Sequence, residues 1–327
     1  MNQPLLSINR LSTHFPVKKG MFSRTTDHIR AVDDVSFALR RGEALGLVGE
    51  SGCGKSTLAR TILMIEKATA GTIRFKDQDL LQASSRNIRQ LRRHMQVVFQ
   101  DPFAALNPGM TVAELITEGL IVHGLIKRSM HTEAAGELLR EVGLGPEMAN
   151  RFPHEFSGGQ RQRICIARAI ALRPELLICD EAVSALDVSV QAQIINLLIK
   201  LRQEHQLAFL FISHDLSVVS HFCDRIAVMY LGKIVETGTA RDIMENPRHP
   251  YTKALLAAIP RVGAPKQERL RLPGEIPSAT NPPPGCPFHP RCRFAIDMCH
   301  TMLPSLEPCG NKQNHMAACH RRHESLA

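Results

Sequence analysis

The segment 49–57 combines glycines, one lysine and hydroxyl side chains directly after the apolar run 44–48. This order predicts a buried strand, a glycine-rich turn and the start of a helix. Glycines let successive backbone N–H groups point at phosphate oxygens, and the helix dipole adds to that positive field. Lys55 would reach the β- and γ-phosphates, and the Ser56 hydroxyl would hold Mg²⁺. The predicted triphosphate-binding residues are Gly49, Glu50, Ser51, Gly52, Cys53, Gly54, Lys55, Ser56 and Thr57.

Two adjacent carboxylates, Asp180 and Glu181, follow the apolar run 176–179. An acidic pair at the end of a buried strand is placed where a magnesium nucleotide needs acidic groups. Asp180 would bind the metal, directly or through water. Glu181 could polarise the water that attacks the phosphate. The pair is weak evidence alone, but behind a phosphate-binding loop it indicates hydrolysis.

A second candidate anion site is formed by Ser157, Gly158, Gly159 and Gln160, which precede an amphipathic helical pattern. Serine and two glycines at a helix N-terminus can bind an anion. One chain rarely needs two phosphate cradles for one nucleotide, so this segment is predicted to serve the nucleotide of a neighbouring subunit. The alternative is a helix cap whose glycines are needed for packing.

The elements around these residues predict an α/β fold. Short apolar runs alternate with helical patterns, which is typical of a mainly parallel sheet flanked by helices. Residues 5–48 favour a small antiparallel sheet, and residues 111–150 are helical in pattern, within a helical subdomain expected over about 104–160. We expect one domain over 1–260 and a Pro/Cys-rich domain over 261–327. The predicted strands after residue 48 are 72–75, 95–99, 176–179, 208–212, 226–230 and 233–236.

Composition limits the class of partner. The 327 residues carry a net charge of +9, but only 2 Tyr and no Trp are present to stack on bases. We therefore expect no nucleic-acid partner. No apolar run reaches the length of a membrane span, and the N-terminus lacks a basic segment followed by an apolar core. The chain is expected to be cytoplasmic, with docking on a membrane protein left open.

Taken together, the motifs resemble those of ABC-transporter ATPase subunits over residues 5–260, in their order and rough spacing. The resemblance implies a P-loop, RecA-like core with an antiparallel β subdomain and a helical subdomain. It also implies a head-to-tail pair of ATPase subunits, in which the loop of one and the 157–160 segment of the other enclose each ATP. Two transmembrane permease subunits would complete the complex, placing this chain at the cytoplasmic face of the cell membrane.

The same resemblance implies roles for four further residues. Gln100 would sense the γ-phosphate and Mg²⁺, and Asp187 would line the subunit contact. His214 would hold the γ-phosphate and help to place the water, so that Lys55, Glu181 and His214 form the catalytic set. Phe15 lies where the family places an aromatic residue against adenine, although a lone N-terminal phenylalanine is also a common core residue.

The segments 246–260 and 272–286 resemble the C-terminal region of dipeptide and oligopeptide importer ATPases, and the opening 14–20 is similar to the dipeptide type in particular. The resemblance implies peptide import, a second and related ATPase subunit, and a peptide-binding protein as an indirect partner. An importer for a nickel chelate or an antimicrobial peptide is the alternative within the family. A nucleic-acid ABC ATPase and a non-hydrolysing regulatory subunit are alternatives from other classes.

Five of the nine cysteines lie within the last 42 residues. A reducing compartment disfavours structural disulfides there and favours a metal or a cluster. The spacing of Cys286, Cys292, Cys299 and Cys319 lacks the closely spaced pairs that are usual in zinc sites, and four thiolates suit a [4Fe–4S] cluster. Zinc and free thiols remain alternatives, and Cys309 leaves the fourth ligand open. We expect any metal to be structural.

Overall fold

The computed structural model describes residues 3–19, 24–259, 274–310 and 312–324. Its backbone divides into two compact units that are discontinuous in sequence. The first unit comprises Met1–Arg40, Ala44–Ala83 and Ser213–Ala327, and the second comprises Arg41–Glu43 and Ser84–Ile212. The domain boundary predicted at residue 260 falls on 260–273, outside the described residues.

Twelve strands and eleven α-helices form the described part of the chain. The strands are β1 (Leu6–Lys19), β2 (Arg24–Leu39), β3 (Ala44–Val48), β4 (Ala70–Phe75), β5 (Gln78–Asp79), β6 (Met95–Val98), β7 (Leu176–Asp180), β8 (Ala208–Ser213), β9 (Arg225–Tyr230), β10 (Lys233–Thr239), β11 (Glu307–Cys309) and β12 (Lys312–Ala317). The helices are α1 (Lys55–Ile62), α2 (Ser85–Arg92), α3 (Pro102–Ala105), α4 (Val112–Val122), α5 (His131–Glu141), α6 (Gly158–Ile170), α7 (Val188–His205), α8 (Leu216–Phe222), α9 (Ala240–Glu245), α10 (Pro250–Ala257) and α11 (Asp297–Thr301).

The first unit contains an antiparallel sheet in the order β2-β1-β4-β5. Leu6, the first residue of β1, pairs with Leu39 on one side and with Phe75 on the other, and all three side chains are buried. The expected antiparallel sheet of the N-terminal region is therefore present. The strands β1 and β2 together form its longest hairpin.

The phosphate-loop strand β3 is also part of the first unit, where it pairs in parallel with β9. A tight turn at Leu231 and Gly232 joins β9 to β10, and both of its residues have positive φ. Beyond β10, the tail strand β12 adds to the same sheet, with Glu236 opposite Ala317. The cysteine-rich tail thus shares a sheet with the strand that leads into the phosphate loop.

The second unit is built on the parallel strands β6, β7 and β8. Every residue of β7 and β8 is buried, which is what a parallel sheet covered on both faces requires. Helices α3 to α5 supply the predicted helical region, joined by 3₁₀ turns at Arg128–Met130, Pro146–Asn150 and Pro153–Glu155. A capping box formed by Thr111 and Glu114 begins α4. Along the described ranges, no helix has the length and apolarity that crossing a membrane would need.

Candidate nucleotide-binding site

The segment 49–57 forms the predicted turn between a strand and a helix. β3 is fully buried and ends at Val48, and α1 begins at Lys55. Gly54 precedes the helix with φ of 107°, a left-handed conformation that glycine adopts without strain. A Cβ atom at Gly54 would lie 2.0 Å from the carbonyl oxygen of Ala31. The close approach of β2 therefore allows only glycine at this position.

Lys55 points back into the loop. Its Nζ donates hydrogen bonds to the carbonyl oxygens of Gly49, at 2.8 Å, and Glu50, at 3.0 Å, and lies 3.7 Å from the Cys53 sulfur. Its side chain is buried, so the ammonium is held inside the loop by backbone dipoles. Burial raises the pKa of the Cys53 thiol, which keeps this neighbour neutral. The lysine is in place to meet an incoming phosphate anion.

In the second unit, two of the predicted site residues are in contact. Gln100 lies two residues beyond β6, and its Nε2 donates to Glu181 Oε2 over 3.2 Å. Asp180 is the buried last residue of β7, and Glu181 follows it. The ends of neighbouring parallel strands meet at one sheet edge, so the amide and both carboxyl groups are gathered there.

The backbone of Glu181 is in an unusual conformation, with φ of 51°. A non-glycine residue in the left-handed region carries strain, which persists only where the surroundings enforce it. Its N–H donates to the Ile212 carbonyl at 3.0 Å, and its own carbonyl accepts from both the N–H and the hydroxyl of Ser184. No sequence pattern indicated that Ser184 would fix the backbone of Glu181.

His214 and Phe15 belong to the first unit. His214 is exposed directly after β8, and the next residue, Asp215, caps α8 by accepting from the N–H groups of Ser217 and Val218. Phe15 is half-buried in β1 opposite Ile29. The neighbouring Thr13 is hydrogen-bonded to Thr61 of α1 at 3.0 Å, so β1 packs beside the helix that follows the phosphate loop.

The Ser157–Gln160 segment is a complete capping box at the start of α6. Gln160 N–H donates to Ser157 Oγ, and Ser157 N–H donates to Gln160 Oε1 at 3.0 Å. A Cβ at Gly159 would lie 2.6 Å from Val190 Cγ1, so this glycine is required for packing against α7. The segment therefore does form a helix cap with a glycine that is needed for packing. That the segment also binds the nucleotide of a neighbouring subunit stays a prediction.

An exposed edge lies beside this cap. Asp187 precedes α7 and is exposed, and Val188 is 82% exposed although it is apolar. Leu186 carries the side-chain atom nearest to a Cβ built at Gly158, at 3.8 Å. The carboxylate of Asp187, the glycine-rich start of α6 and the apolar side chain of Val188 are thus presented together at one surface of the second unit.

The tail reaches the phosphate loop, a relationship that no sequence pattern indicated. Glu50 N–H donates to Tyr251 Oη at 2.8 Å, and its carboxylate accepts two hydrogen bonds from Arg291. Tyr251 lies in the proline-rich segment 246–260, and Arg291 stands between Cys286 and Cys292.

Four of the five tail cysteines, Cys286, Cys292, Cys299 and Cys319, line one small cavity of about 10 Å³. Burial raises the pKa of Cys286 to about 12 and that of Cys319 to about 11, so both thiols are neutral at pH 7. Cys309 lies on β11 instead, with its sulfur 3.9 Å from the Glu307 carbonyl oxygen. Within the four described ranges, no group of three or more His, Cys, Asp or Glu side chains is arranged to hold a metal ion.

The other four cysteines, Cys53, Cys165, Cys179 and Cys223, are all buried.

Two family models match the chain. The model described as ABC transporter matches residues 32–184, and the model described as oligopeptide/dipeptide transporter, C-terminal region, matches residues 235–299. The first range contains the phosphate loop, Gln100, the α6 cap and the acidic pair. The second contains Tyr251, Arg291 and three of the tail cysteines.

Curated relatives and solved structures extend this likeness. The oligopeptide transport ATP-binding protein AppF of Bacillus subtilis is 49% identical, with 97% of each chain covered. The dipeptide transport ATP-binding protein DppF of Escherichia coli is 48% identical, covering 98% of this chain and 95% of the relative. The dimeric post-hydrolysis structure of the ATP-binding cassette MJ0796 with ADP and Pi is 28% identical with a TM-score of 0.64, covering 72% of this chain and 99% of that one. The expected ABC ATPase fold is confirmed.

Proposed function

The chain belongs to the ABC-transporter family as an ATP-binding and ATP-hydrolysing subunit of the oligopeptide/dipeptide type, and we propose that it powers the import of short peptides. One observation carries the proposal. The likeness to AppF and DppF runs over almost the whole chain, so it includes the C-terminal region as well as the ATPase segment. The two identities are nearly equal, which leaves dipeptides and longer peptides as alternatives for the cargo.

In this proposal each ATP is bound by the loop 49–57. Its backbone N–H groups and Lys55 hold the phosphates, and Ser56 with Asp180 holds Mg²⁺. A hydroxyl and a carboxylate are hard oxygen donors, which suit this cation. Phe15 would stack on the adenine, because β1 packs beside α1 through Thr13 and Thr61.

Glu181 is the proposed general base. The hydrogen bond from Gln100 and the two contacts from Ser184 orient it, and the amide of Gln100 can report whether the γ-phosphate is bound. His214 is proposed to hold the γ-phosphate. Removing that phosphate by hydrolysis would remove the contacts that favour a closed dimer, and the change would be passed to the permeases.

The second ATPase subunit is proposed to dock on the edge formed by the α6 cap, Asp187 and Val188. An apolar side chain as exposed as Val188 gains free energy when a partner covers it. Ser157, Gly158, Gly159 and Gln160 would then face the partner's ATP. We propose a related but different chain as this partner, with a copy of the same chain as the alternative.

Two permease subunits are the proposed membrane partners, which would hold this chain at the cytoplasmic face of the cell membrane. A peptide-binding protein would act indirectly through them. We propose no nucleic-acid partner. The soluble nucleic-acid ATPase is disfavoured because the relatives reported above are transport proteins.

The four cavity cysteines are proposed to bind a metal centre, either a [4Fe–4S] cluster or one zinc ion. The support is that Cys286, Cys292, Cys299 and Cys319 share one cavity that Cys309 does not line. Metal binding would deprotonate these thiols, and the bound cation would compensate the charges of the resulting thiolates. The centre would tie the helix-poor tail together.

A transport assay tests the proposed cargo. The chain is purified through an affinity tag from native membranes together with its bound permeases. The complex is placed in proteoliposomes that contain ATP, and the peptide-binding protein is added outside them. ATP-dependent uptake of labelled di- or tripeptide supports the proposal, and loss of uptake in Glu181→Gln excludes a non-hydrolysing regulatory subunit. Uptake of a nickel chelate or an antimicrobial peptide, without uptake of short peptides, would overturn the cargo assignment.

A further inference from the structure

We propose that the C-terminal region takes part in ATP binding, because Arg291 and Tyr251 position the phosphate loop by holding Glu50. Both are positioning residues that act through Glu50 rather than through contact with the nucleotide. All the contacts lie within the first unit. The inference depends on ATP binding at residues 49–57 and not on the cargo, the partner or the metal proposed above.

Glu50 is the point at which three kinds of contact converge. Its backbone N–H donates to Tyr251 Oη at 2.8 Å, and its backbone carbonyl accepts from Lys55 Nζ at 3.0 Å. Its carboxylate accepts from Arg291 NH1 at 2.7 Å and from Arg291 NH2 at 3.0 Å. Fixing Glu50 therefore also fixes one of the two carbonyl groups that anchor the ammonium of Lys55.

The ion pair between Arg291 and Glu50 is of the strong type. It is bidentate, and the Arg291 side chain is only 5% exposed, against 26% for Glu50. The planar guanidinium matches the carboxylate in two parallel hydrogen bonds, which fixes direction as well as distance. A pair this buried is costly to break from one side, because the remaining charge is left without compensation.

Tyr251 is equally well fixed. It is fully buried, and its ring lies 4.7 Å from the ring of Tyr230 and 5.5 Å from that of Phe288, measured between centroids. Its own N–H donates to His249 Nδ1 at 3.1 Å, at the start of α10. Because the ring is fixed, its hydroxyl oxygen is held in one position, where it accepts the hydrogen bond from the Glu50 N–H.

The charge of Glu50 explains why the arrangement matters for ATP. A carboxylate one residue into an anion-binding loop opposes the phosphates, and Arg291 neutralises it at close range. Without Arg291, the loop would keep an uncompensated negative charge beside the nucleotide. The expected effect is weaker ATP binding, with a smaller change in kcat at saturating ATP, because the groups that carry the reaction remain.

The test uses the purified full-length chain and equilibrium titration with a fluorescent ATP analogue and Mg²⁺. Arg291→Gln is expected to raise the Kd about tenfold, and Arg291→Lys is expected to recover part of the loss because it keeps the charge. Tyr251→Phe is expected to raise the Kd about threefold, since it removes one accepting oxygen. The matched control is Arg322→Gln, which breaks the ion pair of another tail arginine with Glu307. Its Kd should remain that of the parent protein.

A double-mutant cycle distinguishes the effect of the Arg291–Glu50 contact on the Kd from the effect of a general destabilisation of the tail. In a Glu50→Gln background, Arg291→Gln should change the Kd less than twofold, because its partner charge has gone. An unchanged Kd in Arg291→Gln overturns the proposal, as does an equal rise in Arg322→Gln. Where Arg291→Gln does not fold, Tyr251→Phe decides the question, since a Kd equal to that of the parent protein also overturns it.

Discussion

Gln100 Nε2 and Glu181 Oε2 are 3.2 Å apart, and their hydrogen bond joins the loop after β6 to the residue that follows β7. The two side chains come from segments 81 residues apart, yet both are carried by neighbouring parallel strands. The Gln100 amide therefore contacts the proposed general base directly. A change in the position of Gln100 would therefore be felt directly by the Glu181 carboxylate.

The first prediction concerns the base itself. Glu181→Gln should lower ATP turnover by about 10²- to 10⁴-fold, because the amide cannot accept the proton of the attacking water. ATP binding should persist, since the loop 49–57 is untouched. Phosphate release and ATP binding are measured on the same preparation. Glu175→Gln is the control, because Glu175 pairs with Arg41 just before β7. Equal turnover in Glu181→Gln and the parent protein would remove the assignment of Glu181.

A second prediction distinguishes two adjacent glycines in the α6 cap. The Cβ of Gly159→Ala would meet the stiff Val190 side chain 2.6 Å away, which costs about 1–3 kcal/mol. Alanine recovers roughly 1 kcal/mol over glycine in a helix, so the free energy of unfolding should fall by up to about 2 kcal/mol. Gly158→Ala meets its nearest atom at 3.8 Å and should not destabilise the protein. Denaturant unfolding measures both.

Removing the Val190 side chain provides an internal control for this clash. Adding Val190→Ala to Gly159→Ala frees the space that the new methyl group needs. The double variant should therefore be more stable than the sum of the two single effects, which denaturant unfolding also measures. Strict additivity would show that Gly159 is required for another reason.

Local patterns explain why most of the site could be predicted. The loop 49–57, the acidic pair and the α6 cap each lie within a few residues of a strand or helix end, and apolar runs mark those ends. Hydrogen bonds between distant segments carry no such signal. Arg291 and Glu50 are 241 residues apart, and their types alone did not connect them. The pairing of β12 with β10 was missed for the same reason, since 312–317 lacks an apolar run and joins a strand far earlier in the chain.

A third prediction concerns pH. His249 is buried, and desolvation lowers its pKa from 6.5 to about 4, while Glu236 opposes the shift. Between pH 6.5 and 4 the unfolded chain takes up a proton that the folded chain refuses, so the free energy of unfolding falls as the pH falls. His249 contributes a loss of about 3 kcal/mol across that range at most.

His249→Asn isolates this contribution. The Asn carbonyl can replace Nδ1 as acceptor for the Tyr251 N–H, but it does not titrate. The variant should therefore lose less stability than the parent protein between pH 7 and pH 4.5, as measured by urea unfolding at each pH. Parallel curves for the two proteins would show that His249 does not titrate in this way.

The last prediction tests the metal centre. Cys292→Ser should lose the metal that the anaerobically purified parent protein carries, because Cys292 lines the cavity with three other cysteines. Cys309→Ser should keep it, since Cys309 lies on β11 beside Glu307. About four irons with sulfide and a visible absorption band would identify a cluster. One zinc without colour would identify a structural zinc site. Parent protein with no iron and no zinc would show that the thiols are free.

Arg291 directly precedes Cys292, so if the parent protein carries a metal centre, its loss in Cys292→Ser should also weaken ATP binding. Cys309→Ser should leave the Kd for ATP unchanged.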